Sequence, residues 1–155
     1  MSNVTLGKKV QDFNALATGE QTVRLKDLKG RKVVLYFYPR DSTPGCTTEG
    51  QDFRDLYARF QEAETEIFGI SQDSLKSHEN FRSKQGFPFQ LISDEDGSIC
   101  RQFDVIKMKS MYGKQFEGIE RSTFLIDASG KLQREWRKVK VPGHVAEVLE
   151  AAQKL

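Results

Sequence analysis

Cys46 is the residue best placed to do chemistry. The stretch Pro39-Arg40-Asp41-Ser42-Thr43-Pro44-Gly45-Cys46-Thr47-Thr48-Glu49 carries it from the end of an apolar run onto what reads as the first turn of a helix. N–H groups in a helix's first turn lack intrahelical acceptors and sit at the positive end of the macrodipole, so an anion is favoured there. A thiolate is such an anion, and it is the nucleophilic form of cysteine. Ionisation alone gains only a few-fold in rate, because a less basic thiolate is also a weaker nucleophile. Donors must therefore stabilise the charge that develops on the leaving group. Thr43, three residues before the sulfur, and Arg121, just before a core strand, are candidate donors. Glu49, roughly one turn on from Cys46, is the candidate to hold the guanidinium. Taken singly each has a plainer reading: a packed thiol, a turn hydroxyl, a solvated cation, a first-turn carboxylate. The combination and its spacing lift them above that.

The elements that must position these groups follow from periodicity. Val33-Val34-Leu35-Tyr36-Phe37-Tyr38 is apolar on both alternations, as a strand covered on both faces should be. Pro39 ends it, and a helix is expected from about Cys46, with Phe53, Leu56, Tyr57 and Phe60 forming one stripe. Residues 66–71 read as a second buried strand, and Asp73 or Ser74 as the cap of a helix running to Gly86. A short strand over 89–92, the turn Ser93-Asp94-Glu95-Asp96-Gly97 and a short helix around Ile99, Cys100 and Phe103 come next. Then follow a strand at 122–127, a half-exposed edge strand at 135–140 and a C-terminal helix through Val145, Val148, Leu149 and Ala152. Residues 9–28 suit an N-terminal hairpin. The order implies an α/β fold with a mixed central β-sheet flanked by helices on both faces, and one domain over residues 1–155.

Bulk properties exclude several classes. The 155 residues include 24 basic and 22 acidic ones, a net charge of +2, which gives no reason to expect nucleic acid or an anionic membrane as partner. No stretch approaches the ~20 apolar residues of a membrane span. The first nine residues lack the apolar run of a secretory signal, so a cytoplasmic location is expected. Two cysteines far apart form neither a disulfide framework nor a Cys-x-x-Cys pair. His78 and His144 show no ligand spacing, so no metal is expected, and His78 reads as a half-buried helix residue. The acidic turn at 94–97 lacks the ligands of a calcium loop. Residues 107–114, which interleave basic and apolar groups, are expected to form a loop bordering the site.

Pro39-x-x-x-Thr43-x-x-Cys46 resembles the active-site signature of the peroxiredoxins, and Thr43 to Glu49 looks like their PrxQ branch, also called bacterioferritin comigratory protein. Arg121-Ser122-Thr123-Phe124-Leu125-Ile126-Asp127 is similar to that family's arginine-bearing strand, and Gly86-Phe87-Pro88-Phe89 and Ser93-Asp94 fall in the same order. The resemblance implies a thioredoxin-like fold and reduction of hydrogen peroxide or alkyl hydroperoxides. By it, Cys46 attacks a peroxide oxygen and becomes sulfenic acid, Thr43 and Arg121 orient the peroxide, and Pro39 shields the sulfur. It implies no metal or cofactor, an external thiol as electron source, and a monomer or weak homodimer. Two departures matter. Where many relatives carry a resolving cysteine this chain has Gln51, and where others carry one it reads Asn80-Phe81-Arg82-Ser83. Cys100 remains, and its apolar neighbours favour a structural thiol. A one-cysteine cycle, with glutathione, thioredoxin or glutaredoxin as reductant, is therefore expected. A sensor signalling through oxidised Cys46 is the alternative. A disulfide reductase is disfavoured because Glu49 stands where its second cysteine belongs.

Overall fold

The computed structural model describes residues 4–155. In chain order it contains β1 (Asn14–Ala17), β2 (Gln21–Arg24), a 3-10 turn (Leu25–Leu28), β3 (Lys32–Phe37), α1 (Pro44–Asp55), α2 (Tyr57–Glu62) and β4 (Thr65–Ser71). There follow α3 (Leu75–Gln85), β5 (Gln90–Ser93), α4 (Ser98–Gln102), β6 (Ile106–Met111), β7 (Lys114–Ile119), β8 (Ser122–Ile126), β9 (Leu132–Trp136) and α5 (His144–Gln153). Seven strands form one mixed sheet in the order β2-β1-β5-β4-β3-β8-β9, and β6 pairs only with β7.

The double apolar alternation of β3 explains the layers. Val33, Leu35 and Phe37 enter one apolar cluster, with Ile99 and Cys100 of α4 and Phe103 just after it. Val34, Tyr36 and Tyr38 enter the other, with Phe53, Phe60, Phe81 and Val148 from α1, α2, α3 and α5. Side chains of a strand alternate between faces, so the two clusters lie on opposite sides of the sheet. β3 runs parallel to β4 and antiparallel to β8, with Phe37 opposite Ser122. That antiparallel register brings the start of β8 beside the end of β3.

The N-terminal hairpin is present, turning at Gly19 and Glu20, both at positive φ. Four details differ from the sequence reading. α1 begins at Pro44, because proline's fixed φ suits a first helical position, and Cys46 is therefore already inside the first turn. The stripe from Phe53 to Phe60 spans two helices broken at Leu56, whose φ of −103° and ψ of 5° leave the helical region. The edge strand lies at Leu132–Trp136, earlier than the charge alternation suggests. Residues 107–114 are no loop but most of the β6–β7 hairpin, turned at Tyr112 and Gly113.

α5 begins at His144, which packs edge-on against Trp136 with its Nε2 2.8 Å from the Thr123 hydroxyl. Burial, reinforced by Arg121 and opposed by Glu147, pushes its pKa down to about 4. The folded value lies below the unfolded one, so the neutral ring's contribution is complete above about pH 6.5 and is lost as pH falls through about 4. Urea unfolding should show about 3 kcal/mol of this group's stability lost between those limits. His144→Gln should lack that component.

Candidate active site

Antiparallel pairing of β3 with β8 decides where the arginine goes. Arg121 immediately precedes Ser122, the β8 residue opposite Phe37, so its side chain arises next to the loop that leaves β3. Arg121 Nη2 donates to Cys46 Sγ at 3.4 Å and Nη1 to Glu49 Oε1 at 2.6 Å. Glu49 is fully buried and its other carboxylate oxygen, Oε2, has no hydrogen-bond partner among the described residues. Burial pushes the Glu49 carboxyl up to about 7, against the opposing pull of Arg121. Burial also works against the Arg121 charge, but Glu49 and Cys46 more than offset it and its pKa is raised. A β-carbon on Gly45 would come within 3.2 Å of Nη2, so the glycine leaves room for the guanidinium to reach the sulfur.

Cys46 is the third residue of α1, and the N–H groups of Gly45 and Cys46 belong to the turn without intrahelical acceptors. Thr43 is the N-cap residue, yet its side chain does not cap the helix. Its hydroxyl donates to the Arg40 carbonyl at 2.8 Å, rather than turning its proton to the sulfur as expected, and so offers its lone pairs as an acceptor. Pro39 lies exposed at the end of β3, and Ser42 adopts a φ of +62°. The sulfur itself is nearly closed off, with Cys46 2% exposed beside exposed Pro44 and Gly45. Two surface hollows of about 440 Å³ lie elsewhere, one beside Gly30 and Asp127, one beside Trp136 and His144. Cavity size is therefore no guide to the reactive thiol.

Cys100 is wholly buried in α4, in the cluster on the far side of the sheet from Cys46. Its N–H donates to Asp94 Oδ2 at 2.8 Å, and burial, with Asp94 nearby, raises its thiol pKa steeply. Asp94 serves the first turn of α4 rather than a cation, accepting also from the Ile99 N–H. Lys109 on β6 is close enough to sense both Arg121 and Cys46, and burial first, then Arg121, lowers its pKa. The hairpin thus borders the site in the way expected of a loop.

Sequence reasoning missed one cluster. Asp41, Asp73 and His78 bring ligand-type atoms within 4.8 Å of one another. Their polar atoms already have protein partners, including Tyr38, Ser71, Ser77 and the Ile92 carbonyl. His78 is fully buried, not half-buried. The available signal was a tyrosine ending the core strand and an aspartate three residues later in the reactive loop.

The sheet order and helix placement define a thioredoxin-like α/β protein with a thiol at a strand–helix junction. A model of the AhpC/TSA family matches residues 6–135. Peroxiredoxin Bcp of Xanthomonas campestris is 57% identical over 137 residues, which cover 88% of this chain and 85% of that one. Peroxiredoxin Bcp of Bacillus subtilis is 49% identical, covering 95% of this chain and 94% of that one. The structure of Xanthomonas campestris peroxiredoxin Q matches with a TM-score of 0.91 at 49% identity, covering 99% of this chain and 98% of that one. The chain belongs to the AhpC/TSA family, in its peroxiredoxin Q branch, also known as bacterioferritin comigratory protein.

Two measurements test the site. Arg121→Lys cannot bridge sulfur and carboxylate with one planar group, and should slow Cys46 oxidation by about 10²-fold in stopped-flow assays. In wild type, the pH–rate profile should contain an ionisation near 7 as Glu49 gains its charge and fixes Arg121. That ionisation should be missing from Glu49→Gln.

Proposed function

We propose that this chain is a thiol-dependent peroxidase that reduces hydrogen peroxide and alkyl hydroperoxides through the Cys46 thiolate. The observation carrying this reading is the Arg121 guanidinium held by Glu49 against the sulfur, next to uncapped N–H groups of a helix start. A solved structure of the Xanthomonas campestris bacterioferritin comigratory protein, 49% identical with a TM-score of 0.90, is described in terms of alkyl peroxide reduction activity.

In the reaction, the thiolate attacks the terminal oxygen of the hydroperoxide. An S–O bond forms as the O–O bond breaks, the sulfur is oxidised to sulfenic acid, and the leaving alkoxide or hydroxide takes up a proton to give alcohol or water. Thr43 Oγ1, its own proton committed to Arg40, accepts from the hydroperoxide O–H and orients it. Arg121 stabilises first the thiolate and then the charge on the departing oxygen. Pro39 contributes by limiting access from the exposed end of β3.

Reduction follows a one-cysteine route. An external thiol attacks the sulfenic sulfur and expels water, leaving a mixed disulfide, and a second thiol releases Cys46. Glutathione, thioredoxin and glutaredoxin are the candidate reductants. The burial of Cys100 across the sheet supports this route over an internal disulfide. Both cysteines being free thiols suits the cytoplasm, with the chain acting as a monomer or weak homodimer.

Cys46→Ser should abolish peroxide consumption with any thiol donor, and Cys100→Ser should retain most of it. After one equivalent of peroxide, intact mass spectrometry should find an adduct of about 16 Da on Cys46. Loss of two hydrogens instead would indicate a bridge to Cys100 and reject the one-cysteine route.

A further inference from the structure

We propose that the buried Asp41–His78 pair is the positioning element that holds the bend at Ser42 and Thr43, and with it Cys46, in the geometry that reacts with hydroperoxide. The inference rests on the peroxidase reading above and assigns a role to two residues that touch neither sulfur nor substrate.

Asp41 lies five residues before Cys46 and is buried, while its neighbours Pro39, Arg40 and Ser42 are exposed. Its carboxylate accepts from the Tyr38 hydroxyl at 2.6 Å on Oδ1 and from the Ser77 hydroxyl at 2.8 Å on Oδ2, which also lies 2.7 Å from His78 Nδ1. Its N–H donates to Asp73 Oδ2 at 2.9 Å, which also accepts from Ser71. On the far side of the ring, His78 Nε2 meets the Ile92 carbonyl at 2.9 Å. A carbonyl only accepts, so Nε2 is the donor there, while Nδ1 faces Asp41 Oδ2 with the Tyr38 hydroxyl 3.5 Å away. The result is a histidine–carboxylate pair with no solvent contact at the histidine. Tyr38 stays a donor, since burial raises its hydroxyl pKa well above the usual value.

A buried polar pair is a weak way to gain stability, since apolar side chains of similar volume often do as well or better. What this one does is geometric. It ties one loop residue to the ends of β3 and β4, to α3 and to β5. The next residue, Ser42, sits at φ +62°, a conformation that costs a non-glycine residue energy and persists only where its surroundings impose it. Thr43 then closes the bend onto Arg40 and begins α1, which fixes Cys46 three residues on. The bend is held at one end by Asp41 and at the other by the helix. Release of the first end lets Ser42 relax and moves Thr43 relative to the sulfur. Displacements of about 1 Å cost a reaction about 10²-fold.

The test compares two reactions of Cys46 in the full chain. Peroxide attack needs the assembled bend, whereas alkylation by uncharged iodoacetamide needs only an accessible thiolate. His78→Gln and Asp41→Asn should each slow peroxide oxidation by about tenfold or more, with alkylation unchanged or faster. The double variant should be no slower than the worse single one, because the pair acts as a unit. Leu132→Ala, a core truncation in β9, should keep its peroxide rate within about twofold and serves as the control for general destabilisation. Should His78→Gln or Asp41→Asn fail to fold, Ser77→Ala removes one donor without stranding a charge and should slow oxidation about threefold. Folded variants that oxidise at the wild-type rate, or an equal loss in Leu132→Ala, would each overturn the proposal. A wild-type Cys46 that does not react with peroxide instead overturns the peroxidase reading on which it stands.

Discussion

The site depends on one planar cation shared between a sulfur and a carboxylate. Arg121 can bridge Cys46 and Glu49 because its guanidinium offers donors in a fixed fork, one arm to each partner. Burying that cation is costly, and the cost is offset only while both anionic groups face it. Glu49 is itself disfavoured as an anion by its burial. The three groups are therefore interdependent: Glu49 and Cys46 raise the Arg121 pKa, and Arg121 opposes the burial that pushes Glu49 up. Their alignment comes from the sheet, where the antiparallel β3–β8 register sets the start of one strand beside the end of the other.

Much of this was legible in the residues. The strand over 33–38, the helix that follows and the later buried strands all show in their apolar spacing, because each is covered on a face whose period matches the element. Cys46 stood out because the Pro44-Gly45 turn ahead of it marks a helix start. The contact from Arg121 to Cys46 was not legible, since sequence spacing says nothing of which strands pair. The β6–β7 hairpin was missed because Met108, Met111, Tyr112 and Phe116 stay exposed, so no core-facing alternation marks it. The edge strand was placed late because Arg137 and Lys138 continue the charge alternation beyond Trp136.

The Asp41–His78 pair shows a different limit. A histidine in a helix with no second histidine at ligand spacing reads as an ordinary half-buried residue, and an aspartate in a Pro-rich loop reads as a turn former. Only the fold makes them neighbours, by laying α3 against the end of β3 and the loop beyond it. Buried polar networks of this kind act as one unit. Their members carry no individual mark in the sequence.

The placement of the two cysteines on opposite faces of the sheet has a kinetic meaning. A disulfide spans Cα atoms no more than about 7 Å apart, whereas a whole layer of strands separates these two. In the one-cysteine cycle proposed above, oxidised Cys46 would have no in-chain partner, and the lifetime of the sulfenic acid would be set by collisions with thiols in the surrounding medium. When those thiols run short, the same sulfur is left open to a second oxidant and to the irreversible rungs of the oxidation ladder. On that reading, the pace of the cycle would follow the reducing capacity of its surroundings.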